Sequence, residues 1–269
     1  MRTERFTFPG HAGDELAARL DLPSGPHLAT AVFAHCFTCS KDIMATRRIS
    51  ARLTTMGYAV LRFDFTGLGH SDGEFENTNF TSNVEDLYSA VASLTTQDMT
   101  PTLLIGHSLG GAAVLKATAN LPDIKAVVTI GAPADPAHVV HNFGTSLDEI
   151  EKNGKATVSL AGRTFTISHD FVQDVSATKL NDSLMNLQAA LLVLHSPKDQ
   201  TVEIKNASQI FLAAKHPKSF ISLDTADHLI SDPADAEYTA EVISAWARKY
   251  LPVINATSDN TVPEGFTGL

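Results

Sequence analysis

An α/β fold, with a mostly parallel sheet covered by helices on both faces, is what this sequence predicts from two observations. Uninterrupted apolar runs of strand length alternate with helical patterns along most of the chain, the signature of successive strand–helix crossovers. In addition, residues 102–111 read Thr-Leu-Leu-Ile-Gly-His-Ser-Leu-Gly-Gly, a buried-strand pattern running straight into a helical one. A serine raised on so tight a turn exposes its Oγ, which is the geometry of a nucleophile elbow.

The elements justify that reading in order. Residues 5–8 and 16–20 read as two short strands around Pro9-Gly10-His11-Ala12-Gly13-Asp14, a hairpin. Residues 29–34 form an apolar run of the kind buried on both faces. A helical pattern over 44–56 stops at Gly57, and 58–63 is another buried strand. Residues 82–94 place Val84, Leu87, Val91 and Leu94 on one helical side. After the elbow strand comes an Ala- and Leu-rich helix over 109–121, charged only at Lys116. Strands follow at 126–130, 190–194 and 220–223, with helices at 202–214 and 234–250. In such a sheet, ligands bind beyond the carboxyl ends of the strands.

Residues 137–187 break the alternation. They hold a hairpin pattern, 156–160 and 164–167 around Ala161-Gly162-Arg163, then a helix over 169–180. A stretch of this length is too long for a plain loop and predicts a small cap or lid. Its apolar Val139, Val140, Phe143, Phe165, Phe171 and Val172 are candidates to line an acyl or alcohol pocket, although ordinary packing explains most of them equally well. Residues 1–252 therefore read as one domain with an inserted cap, and 253–269, polar and without periodicity, as a linker or disordered tail.

Composition narrows the partners. The 269 residues are 43% hydrophobic, enough for a packed core. Twenty Lys plus Arg against 30 Asp plus Glu give a formal charge of −10, which disfavours nucleic acid and anionic membrane. No apolar run approaches the roughly 18 residues of a membrane span, and Met1-Arg2-Thr3-Glu4-Arg5 lacks a signal-peptide pattern, so a cytoplasmic protein is expected. The two cysteines stand as Cys36-Phe37-Thr38-Cys39, too few for a disulfide framework or a four-cysteine zinc site. Such a pair can be redox-active, but the preferred reading is two packing residues beside the site.

A serine nucleophile needs a base with a pKa near neutrality, and His228 lies just after the last strand, at the correct end of the sheet. His216 precedes that strand and falls at the opposite end. The acid that orients the imidazole is assigned to Asp199, after the penultimate strand, with Asp135 as the alternative and Asp227 too close in sequence to His228. The bland alternative for each aspartate is a loop or N-cap residue, since Asp is a strong cap former. Oxyanion donors are assigned to the backbone N–H groups of Phe37 and Leu109, the second at a helix start whose dipole favours negative charge. His35, Cys36, His107, Phe143 and Phe171 are the residues assigned to the substrate pocket, with His107 pointing away from the apex. His70 and the surrounding glycine-rich loop are read as structural.

Taken together, Asp64-x-x-Gly67-x-Gly69-x-Ser71-x-Gly73, Gly106-His107-Ser108-Leu109-Gly110-Gly111, Asp199 and His228 resemble the α/β-hydrolase superfamily over nearly the whole chain. The resemblance implies an eight-stranded, mostly parallel sheet, and the serine at 108 argues against the branches that use aspartate there. More narrowly, His35-Cys36-Phe37-Thr38-Cys39-Ser40-Lys41-Asp42 resembles the hydrolase half of bacterial proteins fused to an OsmC-type thiol peroxidase domain. This implies an OsmC-type domain or protein as a partner, and the tail then reads as a linker to it. Cys36 stands where such loops commonly carry glycine, which crowds the turn.

The expected function is hydrolysis of a small carboxylic ester through an acyl-enzyme, without cofactor or metal. The same triad could cleave thioesters, lactones or peptides, since it does not select the leaving group. The alternative of another class is a non-catalytic or thiol-redox partner module.

Overall fold

The structure is a computed structural model that describes residues 1–160 and 162–252. It opens with β1 (Arg2–Pro9) and β2 (Glu15–Leu22), an antiparallel hairpin with Arg2 opposite Leu22 and Pro9 opposite Glu15. Then follow β3 (Ala29–Ala34), α1 (Met44–Thr55), β4 (Tyr58–Phe63), α2 (Phe80–Thr95), β5 (Leu103–His107), α3 (Leu109–Ala117) and β6 (Ala126–Ile130). After the insertion come β9 (Ala190–His195), α7 (Lys205–Ala213), β10 (Lys218–Ser222) and α8 (Pro233–Ala247). Eight strands form one sheet in the order β1-β2-β4-β3-β5-β6-β9-β10. Only the pairs made by β2 are antiparallel, and the rest of the sheet is parallel.

Every residue of β3, β4, β5, β6 and β9 is buried, as their largely apolar sequences favour, and the one charged residue among them, Arg62, is paired with Asp21. Period-two alternation splits them between two cores. Val32, Ala34 and Leu104 face α2 and α3, whereas Ala31, Phe33 and Ile105 face α1 and α8. Asn79 opens α2 through a reciprocal capping box with Ser82, and Asp232 caps α8 ahead of Pro233.

Several boundaries differ from the sequence reading for identifiable reasons. The helix expected from 202 begins at Lys205, because the Val202 N–H donates to Asp199 and its carbonyl accepts from His195. The elbow helix ends at Ala117 and tightens into a 3-10 turn over Thr118–Asn120, with Thr118 Oγ1 donating back to the Val114 carbonyl. The last strand is Lys218–Ser222 rather than 220–223.

The excursion between β6 and β9 is richer than expected. A 3-10 stretch (Pro136–Phe143) and α4 (Ser146–Asn153) lead into the hairpin β7 (Lys155–Leu160) and β8 (Arg163–Ser168). Then α5 (His169–Ala177) stops short of the helix expected over 169–180, because Thr178 turns the chain extended, and a further short helix, α6 (Asn181–Met185), follows. The predicted turn residue Ala161 and the predicted tail, 253–269, lie outside the described residues. Among those described, no helix is long and apolar enough to cross a membrane.

Candidate active site

Parallel register brings the carboxyl ends of four strands to one edge of the sheet. Ala34 pairs with Gly106, His107 with Ile130, and Ile130 with Leu194. The loops carrying residues 35–41, 108, 131–135 and 196–202 therefore leave side by side, and the one after β10 carries His228.

Ser108 sits at φ 55°, ψ −126°, a positive-φ conformation that a non-glycine residue holds only under strain of about 1–3 kcal/mol. Surrounding structure enforces it: the Ser108 N–H donates to the Ile130 carbonyl at 2.9 Å, and Gly111 N–H closes the helix onto Ser108 O at 2.8 Å. A Cβ at Gly106 would run into the Gly110 carbonyl, and one at Gly110 into the carbonyls of Ala34 and His35. The two glycines thus let the elbow and the residue-35 loop touch backbone to backbone.

His228 joins this apex to the acid. Its Nδ1–H donates to Asp199 Oδ2 at 2.8 Å, which leaves Nε2 as the acceptor facing the Ser108 Oγ–H at 3.1 Å. Asp199 Oδ1 is fixed by the N–H groups of Thr201 and Val202, at 2.9 and 2.8 Å. Burial pushes the Asp199 carboxyl up, but the His228 hydrogen bond and charge and these two N–H groups outweigh it and hold its pKa below the usual carboxylate value. The arrangement can accept and hold a proton from the serine, which is what attack on an acyl carbon requires.

Other candidates fall away from this line. Asp135 caps the 3-10 stretch through Ala137 N–H and pairs with Lys179 at 2.8 Å on the surface. Asp227 accepts from the Ser231 N–H. His107, assigned to the pocket, is instead a clamp: it is buried, and its Nε2–H donates to the His228 carbonyl at 2.7 Å. Burial, with the neighbouring His228 charge, pushes its pKa down to about 3, so the ring is neutral near pH 7. Gly131 was missed. It adopts φ +54°, and a Cβ there would lie 3.0 Å from Asp199 Oδ2 and 3.5 Å from His228 Nδ1.

The N–H groups of Phe37 and Leu109 have no protein acceptor among the described residues, the second because it opens α3. Both residues line a cavity of about 360 Å³ together with Ser108, His228 and Cys36. A buried ionic cluster holds the loop that carries Phe37. Asp64 takes the Lys41 backbone N–H at 2.6 Å, the Lys41 ammonium, and the His70 N–H at 2.9 Å. Arg62 donates to the Lys41 carbonyl at 2.8 Å and to Asp21 at 2.8 Å. Burial works against the charged form of Asp64, yet its hydrogen bonds to Lys41 and His70 keep its pKa below the usual value. His70 contributes its backbone N–H, and its exposed ring adds only long contacts, Nδ1 lying 3.5 Å from the Lys41 ammonium.

Three pocket assignments are corrected along with His107. His35 lies beneath the cavity: its Nδ1–H donates to the Cys36 carbonyl at 2.8 Å and its ring packs edge-on to Phe65. Phe143 and Phe171 are fully buried and stack with Phe37, centroids 6.3 and 5.2 Å away, rather than facing the cavity. They are core residues of the insertion because aromatic rings gain more by packing on one another than by lining open space. The wall opposite Ser108 comes instead from His138, Val139, Ser159 and Leu160. Val139 is among the residues the sequence offered for a pocket, whereas nothing in the local pattern of His138, Ser159 and Leu160 sets them apart from other residues of a short hairpin and turn. Cys36 does line the cavity, but not as a packing thiol: it is disulfide-bonded to Cys39.

Fold and elbow define a serine hydrolase of the α/β-hydrolase class. The sequence profile described as "Serine aminopeptidase, S33" matches residues 26–165, and the chain belongs to that family. The esterase domain of a Rhodothermus marinus protein shares 49% identity over 94% of this chain and all of that one, with a TM-score of 0.77. The human mitochondrial palmitoyl-protein thioesterase ABHD10 is 24% identical over 209 residues, 75% of this chain and 67% of its own length. Est1E from Butyrivibrio proteoclasticus, solved with ferulic acid, shares the fold at 19% identity, covering 90% of this chain and 98% of that one, with a TM-score of 0.77.

Proposed function

We propose that this hydrolase cleaves small carboxylic esters, with Ser108 as nucleophile, His228 as general base and Asp199 as its orienting acid. The observation that carries the reading is the continuous line from Asp199 Oδ2 through the imidazole to Ser108 Oγ, at 2.8 and 3.1 Å, ending in a cavity of about 360 Å³. That volume lies at the small end of the roughly 300–1,000 Å³ typical of ligand pockets and suits an acyl group of modest size.

His228 Nε2 takes the serine proton as Oγ attacks the acyl carbon, and Asp199 stabilises the imidazolium that results. The oxyanion forms between the N–H groups of Phe37 and Leu109, each of which is worth about 10²–10³ in turnover for donors of this kind. The imidazolium then protonates the leaving alkoxide, and the base draws a proton from water to release the acid. His107 holds the His228 backbone from below, and Asp64, Lys41 and Arg62 hold the loop of Phe37.

Labelling with a fluorophosphonate and turnover of p-nitrophenyl esters test the reading together. Ser108→Ala is expected to lose labelling and to lose turnover by about 10⁶-fold. Turnover retained in Ser108→Ala would sink it. Thioesters are the second reading, favoured by the palmitoyl-protein thioesterase activity of the ABHD10 relatives, and a thioester series of matched acyl groups run beside the esters ranks the two.

A further inference from the structure

The cavity contains a second reactive group that ester cleavage does not use. Cys36 and Cys39 are bonded to each other and both line the wall that Ser108 and Leu109 complete. Their ring spans four residues and encloses Phe37, and its turn is closed by the Cys39 N–H on the Cys36 carbonyl at 3.1 Å with Thr38 at φ +60°. The two residues differ in access: Cys36 is buried, whereas Cys39 is half-buried, and both line the cavity. The first turn of α3 packs against residues 34 and 35, next to Cys36, so a thiolate released there lies beside a helix N-terminus, which favours negative charge.

We propose that the Cys36–Cys39 disulfide is a thiol–disulfide exchange site within the substrate cavity, taking small aliphatic thiols. An entering thiolate attacks Cys39 Sγ, the R–S–S–Cys39 bond forms, the Cys36–Cys39 bond breaks, and its electron pair leaves on Cys36 as thiolate. A second thiol attacks the outer sulfur of the mixed disulfide. Two thiols are thereby oxidised to RSSR, and the protein disulfide is reduced to two thiols. Where the proposed hydrolysis acts on a thioester, the thiol released at Ser108 starts in the same cavity as this disulfide. That last link alone rests on the active-site reading given above.

The test uses the purified chain, N-acetylcysteamine as the thiol, iodoacetamide to trap free thiols, and peptide mass mapping. The native protein is expected to take no iodoacetamide. After N-acetylcysteamine it should carry the adduct on Cys39 and the alkyl group on Cys36. Prior labelling of Ser108 with a bulky fluorophosphonate, which fills the cavity, should slow exchange about tenfold or more, because exchange depends on access. Two alkylated cysteines before any thiol is added would overturn the proposal. So would a disulfide that resists excess thiol in the native protein but not in urea, or equal rates with and without the label. The mass of the label reports Ser108 separately. A protein that exchanges but never labels refutes the hydrolytic assignment and leaves the exchange site standing, and Ser108→Ala is expected to exchange at the unlabelled rate.

Discussion

The sheet edge and the insertion meet at one cavity but are built by different physics. At the edge, Ser108 follows β5 directly and Asp199 and His228 stand in the loops after β9 and β10, and backbone N–H groups and carbonyls hold each of them. In the insertion, short helices and one hairpin are held by phenyl rings, Phe143, Phe165 and Phe171 meeting Phe37 and Phe75 at centroid distances of 5.2 to 6.5 Å. Polar ties at its margins join it to the sheet domain: His138 Nε2–H to the Thr201 carbonyl at 2.8 Å and the Arg163 guanidinium to the Thr38 carbonyl at 3.3 Å beside the cavity, and Asn79 to Asp170 and Thr81 to Asp174 at the start of α2. Hydrogen-bonded strand ends place atoms to within a fraction of an ångström, which chemistry needs. Dispersion among rings sets a shape and a stability but no single atom's position. The edge should therefore govern rate and the insertion should govern stability and fit.

The strongest way to break this contrast is at the acid. Asp199→Asn is expected to lower kcat on p-nitrophenyl acetate by about 10⁴, equivalent to about 5.5 kcal/mol, with the fold unchanged by circular dichroism. Asp135→Asn, which keeps the cap through its amide oxygen but removes the surface ion pair with Lys179, should leave kcat within about twofold. A loss on Asp135→Asn as large as that on Asp199→Asn would mean that the loop after β6 supplies the acid.

Next comes the insertion. Phe171→Ala empties a fully buried site touching Phe37, Phe75 and Phe143, and should cost about 3–5 kcal/mol in urea unfolding. Turnover of p-nitrophenyl acetate per fluorophosphonate-titrated site should stay within about tenfold, because Asp64, Lys41 and Arg62 hold the loop of Phe37 independently of its ring. A fall as deep as that of Asp199→Asn would show that ring packing, not the ionic cluster, sets the oxyanion donor.

The same contrast explains what was legible in the sequence. Residues 108, 199 and 228 each stand within a few positions of an apolar run, so alternation alone brought them to one edge, and the structure puts them within hydrogen-bonding distance. His35, Phe143 and Phe171 were misread because their side chains turn away from the cavity, and orientation within a loop or a short helix is decided by partners distant in sequence. His107 turns away from the apex as expected, but its partner, the His228 carbonyl, lies 121 residues further on and left no local signal. Gly131 carried no local signal, since only the approach of Asp199 and His228 makes a Cβ there intolerable. The helix α4 was missed because its eight residues hold a single apolar pair at helical spacing, Leu147 and Ile150, too short a stretch for a period to be read. The cysteine pair was read as packing because nothing in the spacing tells a bonded pair from two thiols.

The smallest expected effect separates the regions by pH. Buried, neutral His107 has a folded pKa of about 3 against an ordinary value of 6.5. As pH falls through 6.5 the unfolded chain takes up this proton and the folded one does not, so stability is lost between about pH 6.5 and 3. His35 and His195, also pushed down by burial, add to the loss in the same direction. The depressed carboxylates Asp64 and Asp199 contribute stability above their ordinary 3.8 and lose it only as pH falls further. For His107 alone, the linkage at pH 5 amounts to about 2 kcal/mol. Urea unfolding at pH 7 and pH 5 should show that His107→Gln, which cannot titrate, loses about 2 kcal/mol less on acidification than the parent. Phe171→Ala should instead lower both values equally, because the ring it removes carries no proton. If parent and His107→Gln fell in parallel, the imidazole would not be held neutral, and its role as a clamp on His228 would rest on some other interaction at the sheet edge.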